Sequence, residues 1–412
     1  MFRSKINMGN EGRRVVVTGI GIVSSVGIGR DAFWESIING KSGISEVTSI
    51  DTSGYRCHRG GEVKNFKPED YISRRKIRFL GRSSQLAIAA GSQALTDAKL
   101  INKETVQRDM GVVVGTTTGE QPLEQLLSAW AKGGLKNIDR NKVFQAAANN
   151  ISENVGMEFK TCGQNYLIPT ACAAGNYAIG CGYDLIKSGD LNFALVGGAD
   201  AFSTVAFTGF QRIYAMSPDV VRPFDKNRKG MMLGEGAGML LLETYKSAVK
   251  RGVHIYAEIL GYGLSCDAFH ATVPNSRGIS RAMEKALLET GLTYKDVDYI
   301  CAHGTGTVSN DKTECQAIKD VFQERSKEIL VSSIKSMMGH PMGASSVIEA
   351  AACCLAVQNQ IVPPTINFEN PDPECDIDCV ANKARKTKIR IILNNGFAFG
   401  GNNACVVVKK IE

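Results

Sequence analysis

Long apolar runs are missing from this sequence. No stretch reaches the roughly 20 apolar residues that a membrane-spanning helix needs, and the polar first 14 residues lack the apolar segment of a secretory signal. We therefore expect a cytoplasmic chain with no membrane partner. Its 412 residues are 43% hydrophobic and 22% charged, which excludes disordered and fibrous proteins and allows a large buried core.

Motifs for metals and phosphates are scarce too. The 12 cysteines are scattered and form no CxxC pair, so we expect reduced, mostly buried thiols, no disulfide framework and no metal site. No GK[ST] follows the glycines of residues 234–238, which excludes a Walker loop. The net charge of +7 is too modest to predict a nucleic-acid partner.

A GxG motif at residues 19–21 follows the first apolar run and invites a dinucleotide-binding interpretation. The third glycine of that fingerprint is replaced by Ser24, and no acidic residue stands about twenty positions on at the end of a second strand. We set that interpretation aside on this incomplete match.

What the sequence does contain is an alternation of β-branched apolar runs and longer helical segments, which indicates an α/β fold with buried strands. The predicted strands are 15–18, 111–115, 193–197, 239–242, 299–302, 328–332, 390–393 and 404–408. The predicted helices are 83–97, 173–187, 280–289 and 344–357.

Two kinds of turn recur along the chain. Residues 114–118 after one predicted strand are echoed by residues 303–307 after another, and small residues enter a helix after both Cys172 and His340. The echoes suggest two related halves, 1–255 and 256–412, that share one site. Chance recurrence of glycine and threonine turns is the alternative.

Cys172 stands between an extended segment and a helix that begins with small residues. A thiol at a helix N-terminus meets the positive end of the helix dipole and backbone N–H donors, which favour the nucleophilic thiolate. The same N–H groups can form half of an oxyanion hole. A lone cysteine in this context is more often structural, so a catalytic assignment needs further residues.

Two histidines are candidates for the residues that would act with Cys172. Of only five in the chain, His303 directly follows a predicted strand in a Gly-Thr turn, and His340 precedes a helix in a glycine-containing turn. Both turns suit backbone contact with a ligand. We predict that Cys172, His303 and His340 form one catalytic set; zinc binding is the alternative, and no chelating spacing supports it.

At these residues the sequence resembles the elongating β-ketoacyl-acyl-carrier-protein synthases of the synthase II family, which includes the type II polyketide ketosynthase alpha subunits. The resemblance covers nearly the whole chain. It rests on residues 14–19, 170–172, 222–225, 234–238, 302–307, 335–340 and 396–403, in this order. It implies the thiolase fold, with two pseudo-duplicated α/β halves forming a five-layered αβαβα core.

By this resemblance the protein is an acyltransferase. An acyl or polyketide chain would pass from a carrier-protein phosphopantetheine to Cys172, and malonyl-carrier protein would then lose carbon dioxide to give an enolate that attacks the acyl thioester. The resemblance implies that His303 and His340 donate hydrogen bonds to the malonyl thioester oxygen and that Lys335 supports them.

The resemblance also implies roles for residues around this set. Phe399 would contribute a backbone N–H to the oxyanion hole and act as a gate, made movable by Gly400 and Gly401, with simple core packing as the alternative. The remaining implied roles are pantetheine or substrate binding by Thr305, Thr307 and Thr118, and structural support by Glu349.

Several relatives fit the residues less well. A thiolase would carry a second catalytic cysteine late in the chain, an initiating synthase would carry an asparagine in place of one histidine, and a non-catalytic chain-length partner would lack Cys172. Thr118, where fatty-acid enzymes often have a bulkier apolar residue, favours a type II polyketide or polyene synthase. Ordinary fatty acid elongation is the alternative.

The resemblance implies that an acyl carrier protein is the main partner, within a homodimer or a heterodimer with a paralogous chain-length-factor subunit. A local basic cluster is a reasonable docking surface for the acidic carrier, or else a merely solvated helix face. The cluster comprises Arg74, Arg75, Lys76, Arg78 and Arg82.

No resident cofactor is implied, because the partner carries the phosphopantetheine. Members of the family bind a monovalent cation, and two departures from the family pattern put it in doubt here. They are Cys301, where an asparagine is common, and residues 394–396.

Overall fold

The structure is a computed structural model that describes residues 12–103 and 108–412. Its strands are β1 (Val15–Ser24), β2 (Gly27–Ile28), β3 (Ser45–Glu46), β4 (Arg59–Gly60), β5 (Met110–Gly115), β6 (Asn165–Ile168), β7 (Phe193–Asp200), β8 (Gly236–Thr244), β9 (Ala257–Cys266), β10 (Tyr299–Cys301), β11 (Leu330–Ser332), β12 (Ile361–Val362), β13 (Arg385–Lys386), β14 (Ile391–Phe397) and β15 (Asn402–Lys409). Its α-helices are α1 (Arg30–Ile38), α2 (Arg74–Ile77), α3 (Arg82–Asp97), α4 (Pro122–Gly133), α5 (Arg140–Gln145), α6 (Asn150–Phe159), α7 (Ala174–Ser188), α8 (Thr204–Arg212), α9 (Tyr245–Arg251), α10 (Ser276–Thr290), α11 (Val308–Phe322), α12 (Lys335–Met338) and α13 (Ser345–Asn359).

The main sheet consists of two halves with the same strand order. The first half runs β6-β5-β7-β8-β1 and the second runs β11-β10-β14-β15-β9. In each half the two pairings nearest the outer edge are parallel and the next two are antiparallel. Antiparallel pairing of β1 with β9 joins the halves. The repeated order supports internal duplication over chance as the source of the recurring turns.

Helices α7 and α13 lie between the two halves of the sheet. Helix α7 contacts β5 and β7 of the first half and β15 of the second, while α13 contacts β8 and β14. Helix α3 covers the first half from outside, and α10 covers the second. The layers are therefore helix, sheet, helix, sheet, helix. Because α13 is enclosed on all sides, every residue of 345–357 is buried.

The GxG motif lies in the middle of β1, and its glycines permit close packing. A Cβ at Gly19 would lie 2.1 Å from the carbonyl oxygen of Ala94, and one at Gly21 would lie 1.8 Å from that of Ala90. Both carbonyls belong to α3. Only glycine lets the strand and the helix approach this closely, which explains the motif without a nucleotide.

Every strand and helix predicted from the sequence exists in the structure, with shifted ends. The sequence patterns do not predict β6, β9 or several helices, among them α1, α4, α6 and α11. Strand β9 contains Gly261 and Gly263, which weaken its strand signal. The predicted boundary between residues 255 and 256 falls between α9 and β9. Within the described ranges, no helix is long and apolar enough to cross a membrane.

Candidate active site

Cys172 lies in a tight turn, Ala171–Ala173, immediately before α7. Ala171 has a φ of 50°, an uncommon conformation for a residue other than glycine, and the chain bends sharply there. Only 6% of Cys172 is exposed. Burial raises the pKa of its thiol to about 12, and Lys335 opposes that rise. Burial therefore outweighs the lysine charge and the backbone hydrogen bond that lower this pKa, and it favours the neutral thiol. That the helix N-terminus favours the thiolate stays a prediction.

The two histidines reach the same cavity from two different turns. The rings of His303 and His340 lie 5.4 Å apart between centroids, at 81°, and both line one cavity with Cys172. Burial lowers the pKa of both imidazoles well below the usual value, and the charge of Lys335 lowers it further. Both rings are therefore neutral near pH 7, and each can donate a hydrogen bond from one ring N–H.

Two carboxylates that the sequence patterns did not indicate hold the His303 turn. Glu314 accepts hydrogen bonds from the backbone N–H groups of His303 at 2.9 Å and Gly304 at 2.8 Å. Asp311 accepts one from the N–H of Gly306 at 3.2 Å. Both acids are fully buried on α11, and burial raises the pKa of Glu314 to about 7. Acidic residues on the buried face of a helix are uncommon, and this feature of the sequence could have identified both residues.

Lys335 and Glu349 form a buried ion pair beneath the histidines. The Nζ of Lys335, at the start of α12, donates to the carboxylate of Glu349 on α13, and their side chains are 1% and 0% exposed. Burial raises the pKa of Glu349 to about 7, with Lys335 opposing the rise. Neither side chain is among those that line the cavity. Lys335 therefore acts on the imidazoles through its charge.

The cavity that Cys172, His303 and His340 share has a volume of about 360 Å³. Thr305 and Thr307 line it, and their hydroxyls hydrogen-bond each other at 2.9 Å. His270, which had no role on sequence grounds, also lines it, and its Nδ1 accepts the N–H groups of Thr272 at 3.1 Å and Val273 at 3.2 Å. A lining of hydroxyls and apolar groups suits a ligand with amide and alkyl parts.

Phe399 lies at the cavity on a glycine-flanked loop. Its side chain is 40% exposed and packs against Phe210, with 5.5 Å between ring centroids. The next two residues, Gly400 and Gly401, have φ values of 82° and 78°, which other residues rarely adopt. The N–H of Gly400 donates to the carbonyl oxygen of Ala271 at 2.8 Å. Two successive glycines give this loop backbone freedom, and the gate stays a prediction.

Thr118 has an internal partner rather than a place on the cavity lining. Its backbone N–H and its hydroxyl both donate to the carboxylate of Asp200, each at 2.8 Å. It is not among the residues that line the described cavity. Because its hydroxyl is already used, a substrate contact for Thr118 stays a prediction that this structure does not support directly.

The basic cluster is exposed only in part. Lys76 is ion-paired with Glu158 at 2.7 Å. Arg82 is not part of the exposed cluster, because its guanidinium pairs with Glu235 at 2.9 Å and is mostly buried. The exposed basic residues are Arg74, Arg75, Lys76 and Arg78, on and just after α2.

The residues at the place of the family's monovalent cation do not fit such an ion well. Cys301 is fully buried and its side chain offers no oxygen, and Asn395 offers one buried amide oxygen. A hard cation needs a shell of several oxygens. Among the described residues, no group of three or more His, Cys, Asp or Glu could hold a metal ion.

The chain matches a known protein family over most of its length. Residues 12–248 match the model of the beta-ketoacyl synthase N-terminal domain, and residues 256–369 match that of the C-terminal domain. The 3-oxoacyl-[acyl-carrier-protein] synthase 2 of Synechocystis sp. (strain ATCC 27184 / PCC 6803 / Kazusa) is 39% identical over 412 residues, which cover 98% of this chain and 99% of that protein.

Two solved structures are also similar. The ishigamide ketosynthase/chain length factor is 43% identical, with a TM-score of 0.94 over 97% of this chain and 100% of that chain. A type II polyketide synthase acyl-carrier protein in complex with its ketosynthase, bound to the hexaketide, gives 32% identity and a TM-score of 0.90 over 98% of this chain and 100% of that chain. Both share the fold over nearly the full length of this chain.

Proposed function

Because this chain belongs to the β-ketoacyl synthase family, we propose that it extends an acyl or polyketide chain by decarboxylative condensation with malonyl-acyl-carrier protein. The observation that carries the proposal is the meeting of one buried thiol, Cys172, with two neutral imidazoles, His303 and His340, in one cavity. A nucleophile and neutral hydrogen-bond donors are what the two half-reactions need.

The first half-reaction loads Cys172. Its sulfur attacks the carbonyl carbon of an acyl-carrier-protein thioester, and the bond from that carbon to the phosphopantetheine sulfur breaks. The thiol proton of Cys172 ends on the released phosphopantetheine thiol. The backbone N–H groups of Cys172 and Phe399 would stabilise the oxyanion formed on the way. Because burial favours the neutral thiol, an exchange without net change of charge suits this site.

The second half-reaction forms the carbon–carbon bond. The bond between the malonyl carboxylate and its α-carbon breaks, carbon dioxide leaves, and the electron pair forms an enolate. His303 and His340 donate hydrogen bonds to the enolate oxygen. The enolate carbon attacks the acyl carbonyl carbon, the bond from that carbon to the sulfur of Cys172 breaks, and the sulfur recovers a proton from solvent.

Within the family we favour the ketosynthase of a type II polyketide or polyene synthase. The similarity to the ishigamide ketosynthase/chain length factor, at 43% identity and a TM-score of 0.94, supports the choice. Fatty acid elongation is the second candidate, and the match along 99% of the Synechocystis protein favours it.

The proposal includes a partner subunit of the same fold. Strand β6 is an edge of the sheet, and its Tyr166 is 44% exposed. Helix α4 exposes large apolar side chains as well, with Leu127 at 57% and Trp130 at 61%. An open strand edge and an apolar helix face are features that a subunit interface covers. A second copy, or a chain-length-factor paralogue, would cover both.

Intact-mass analysis tests the proposed function. We expect Cys172 to gain the mass of the acyl group during incubation with acyl-carrier protein, and the product to grow by two carbons when malonyl-carrier protein is added. Loading and extension by the chain alone would indicate a self-sufficient synthase. Loading only with a co-purifying homologue would indicate a polyketide heterodimer, and no loading in either case would contradict the proposal.

Charge reversal at the exposed basic cluster tests carrier-protein docking. We expect the double variant Arg75→Glu, Arg78→Glu to lower kcat/KM with carrier-protein substrates about tenfold at low salt, because exposed charges mainly set the association rate. Turnover of small thioesters should change less than about twofold, because the cavity is untouched. The readout is steady-state kinetics with both substrate types, at low and high salt.

A matched control carries the same change of charge elsewhere. Lys386 and Lys388 are exposed near the start of β14, whose other end reaches the cavity at Phe397. Lys386→Glu with Lys388→Glu should leave both activities unchanged. An equal fall for carrier protein and small thioesters in the Arg75, Arg78 variant would rule out docking at this cluster.

A further inference from the structure

Asp200 joins the two halves of the molecule behind the active site. It ends β7 and is fully buried. Its Oδ1 accepts hydrogen bonds from the Thr116 hydroxyl at 2.7 Å and from the N–H and hydroxyl of Thr118 at 2.8 Å each. Its Oδ2 accepts the N–H of Thr117 at 2.9 Å and that of Gly343 at 2.6 Å. Dipoles rather than a cation therefore compensate this buried charge.

The turn at residues 116–118 reaches the helix of the nucleophile. Strand β5 ends at Gly115, where a Cβ would lie 2.4 Å from the backbone carbon of Ala174. Ala174 is the first residue of α7 and follows Cys172 by two positions. Because this contact joins backbone to backbone in a close-packed core, a shift of the turn is passed on to Cys172.

The turn that follows His340 rests on the same carboxylate. Gly343 lies in the turn Met342–Ala344, three residues after His340. A Cβ at Gly343 would lie 2.7 Å from Oδ2 of Asp200 and 2.7 Å from the Cα of Thr116. Only glycine allows the turn to approach this closely. The bond to the Gly343 N–H holds this turn against the first half, beside the backbone bonds that His340 itself makes to Met232 and Gly234.

We propose that Asp200 is a positioning residue that sets the alignment of His340 with Cys172 and so couples decarboxylation to carbon–carbon bond formation. This inference rests on the condensation proposed above. Loading needs the thiol and its oxyanion hole, and decarboxylation needs the imidazoles. Only bond formation needs both groups in register, and a misplacement of about 1 Å costs about 100-fold in such a step.

The test is Asp200→Asn, which replaces one accepting oxygen with an NH₂ group that faces N–H and O–H donors. We expect bond formation to fall about 100-fold, while loading and carbon dioxide release each fall less than about threefold. Carbon dioxide released per bond formed should therefore rise from about one to above about 30. Labelled malonyl-carrier protein gives the carbon dioxide, and mass spectrometry gives the product.

Thr116 offers a matched pair of variants, which also serve if Asp200→Asn does not fold. Thr116→Ser keeps the hydroxyl that donates to Asp200 and should stay coupled, whereas the isosteric Thr116→Val removes it and should uncouple in the same direction. A ratio near one in both Asp200→Asn and Thr116→Val would overturn the inference. So would an equal fall in loading, decarboxylation and bond formation. If the unmodified protein forms no carbon–carbon bond, the proposed function itself fails.

Discussion

Replacing Cys172 with glutamine is expected to abolish loading and chain extension while leaving malonyl decarboxylation intact or faster. Glutamine offers no nucleophile, so extension should fall at least about 1000-fold. The histidines should keep their places, because Glu314 holds the His303 turn through two backbone N–H groups and Asp200 holds the turn after His340. The amide carbonyl of glutamine also stands in for the acyl thioester carbonyl, so the variant resembles the loaded state.

Two measurements check this result. Intact mass after incubation with acyl-carrier protein reports loading, and carbon dioxide released from malonyl-carrier protein reports decarboxylation. Cys162→Ser is the matched control, because Cys162 is an exposed thiol that does not line the cavity, and this variant should keep both activities. Chain extension that persisted in Cys172→Gln would identify another residue as the nucleophile.

The meeting of Cys172, His303 and His340 in one cavity was predictable because each of them stands in a short local motif. Cys172 precedes a helix of small residues, and both histidines lie in glycine-containing turns. The buried acids that hold these turns were not predictable, because some of their hydrogen-bond partners are distant in the chain. Asp200 and Gly343 are 143 residues apart, and no local pattern marks such a contact. Buried carboxylates acquire their roles from tertiary structure alone.

Two residues lie elsewhere than the sequence predicted, because each has a buried acidic partner. Thr118 looked like a pocket residue, yet its hydroxyl donates to Asp200. Arg82 looked like part of an exposed cluster, yet it pairs with Glu235. Either residue type can contact a ligand or bind an internal partner. In both cases a nearby buried acid binds the side chain internally. The sequence identifies a hydrogen-bond donor, but only the folded structure shows which acceptor lies beside it.

For the fold, long buried strands and helices were predictable and edge elements were not. Strands such as β7 and β8 are apolar along most of their length, so their pattern is clear. Strand β6 has only four residues, and its first two are exposed. The duplicated strand order could only be suspected from two echoing turns, because strand pairing depends on contacts across the whole chain.

Removing the charge of Lys335 is expected to lower both the stability of the fold and the rate of decarboxylation. Lys335→Met leaves Glu349 buried without a cationic partner, and breaking a buried ion pair in this way lowers the free energy of unfolding by about 3–5 kcal/mol. The pKa of Glu349, which burial already raises to about 7, should then rise further. An acid with a raised folded-state pKa loses stability as pH rises, so the variant should be less stable at about pH 8 than at about pH 6.

A second substitution separates this loss of stability from a loss of chemistry. Lys335→Met with Glu349→Gln leaves no buried charge, so most of the stability should return and its new pH dependence should vanish. Decarboxylation should stay at least about tenfold low, because the charge that helps to keep His303 and His340 neutral is still gone. Urea unfolding at both pH values and carbon dioxide release measure the two effects. If the double variant regained both stability and decarboxylation, Lys335 would serve only to neutralise Glu349.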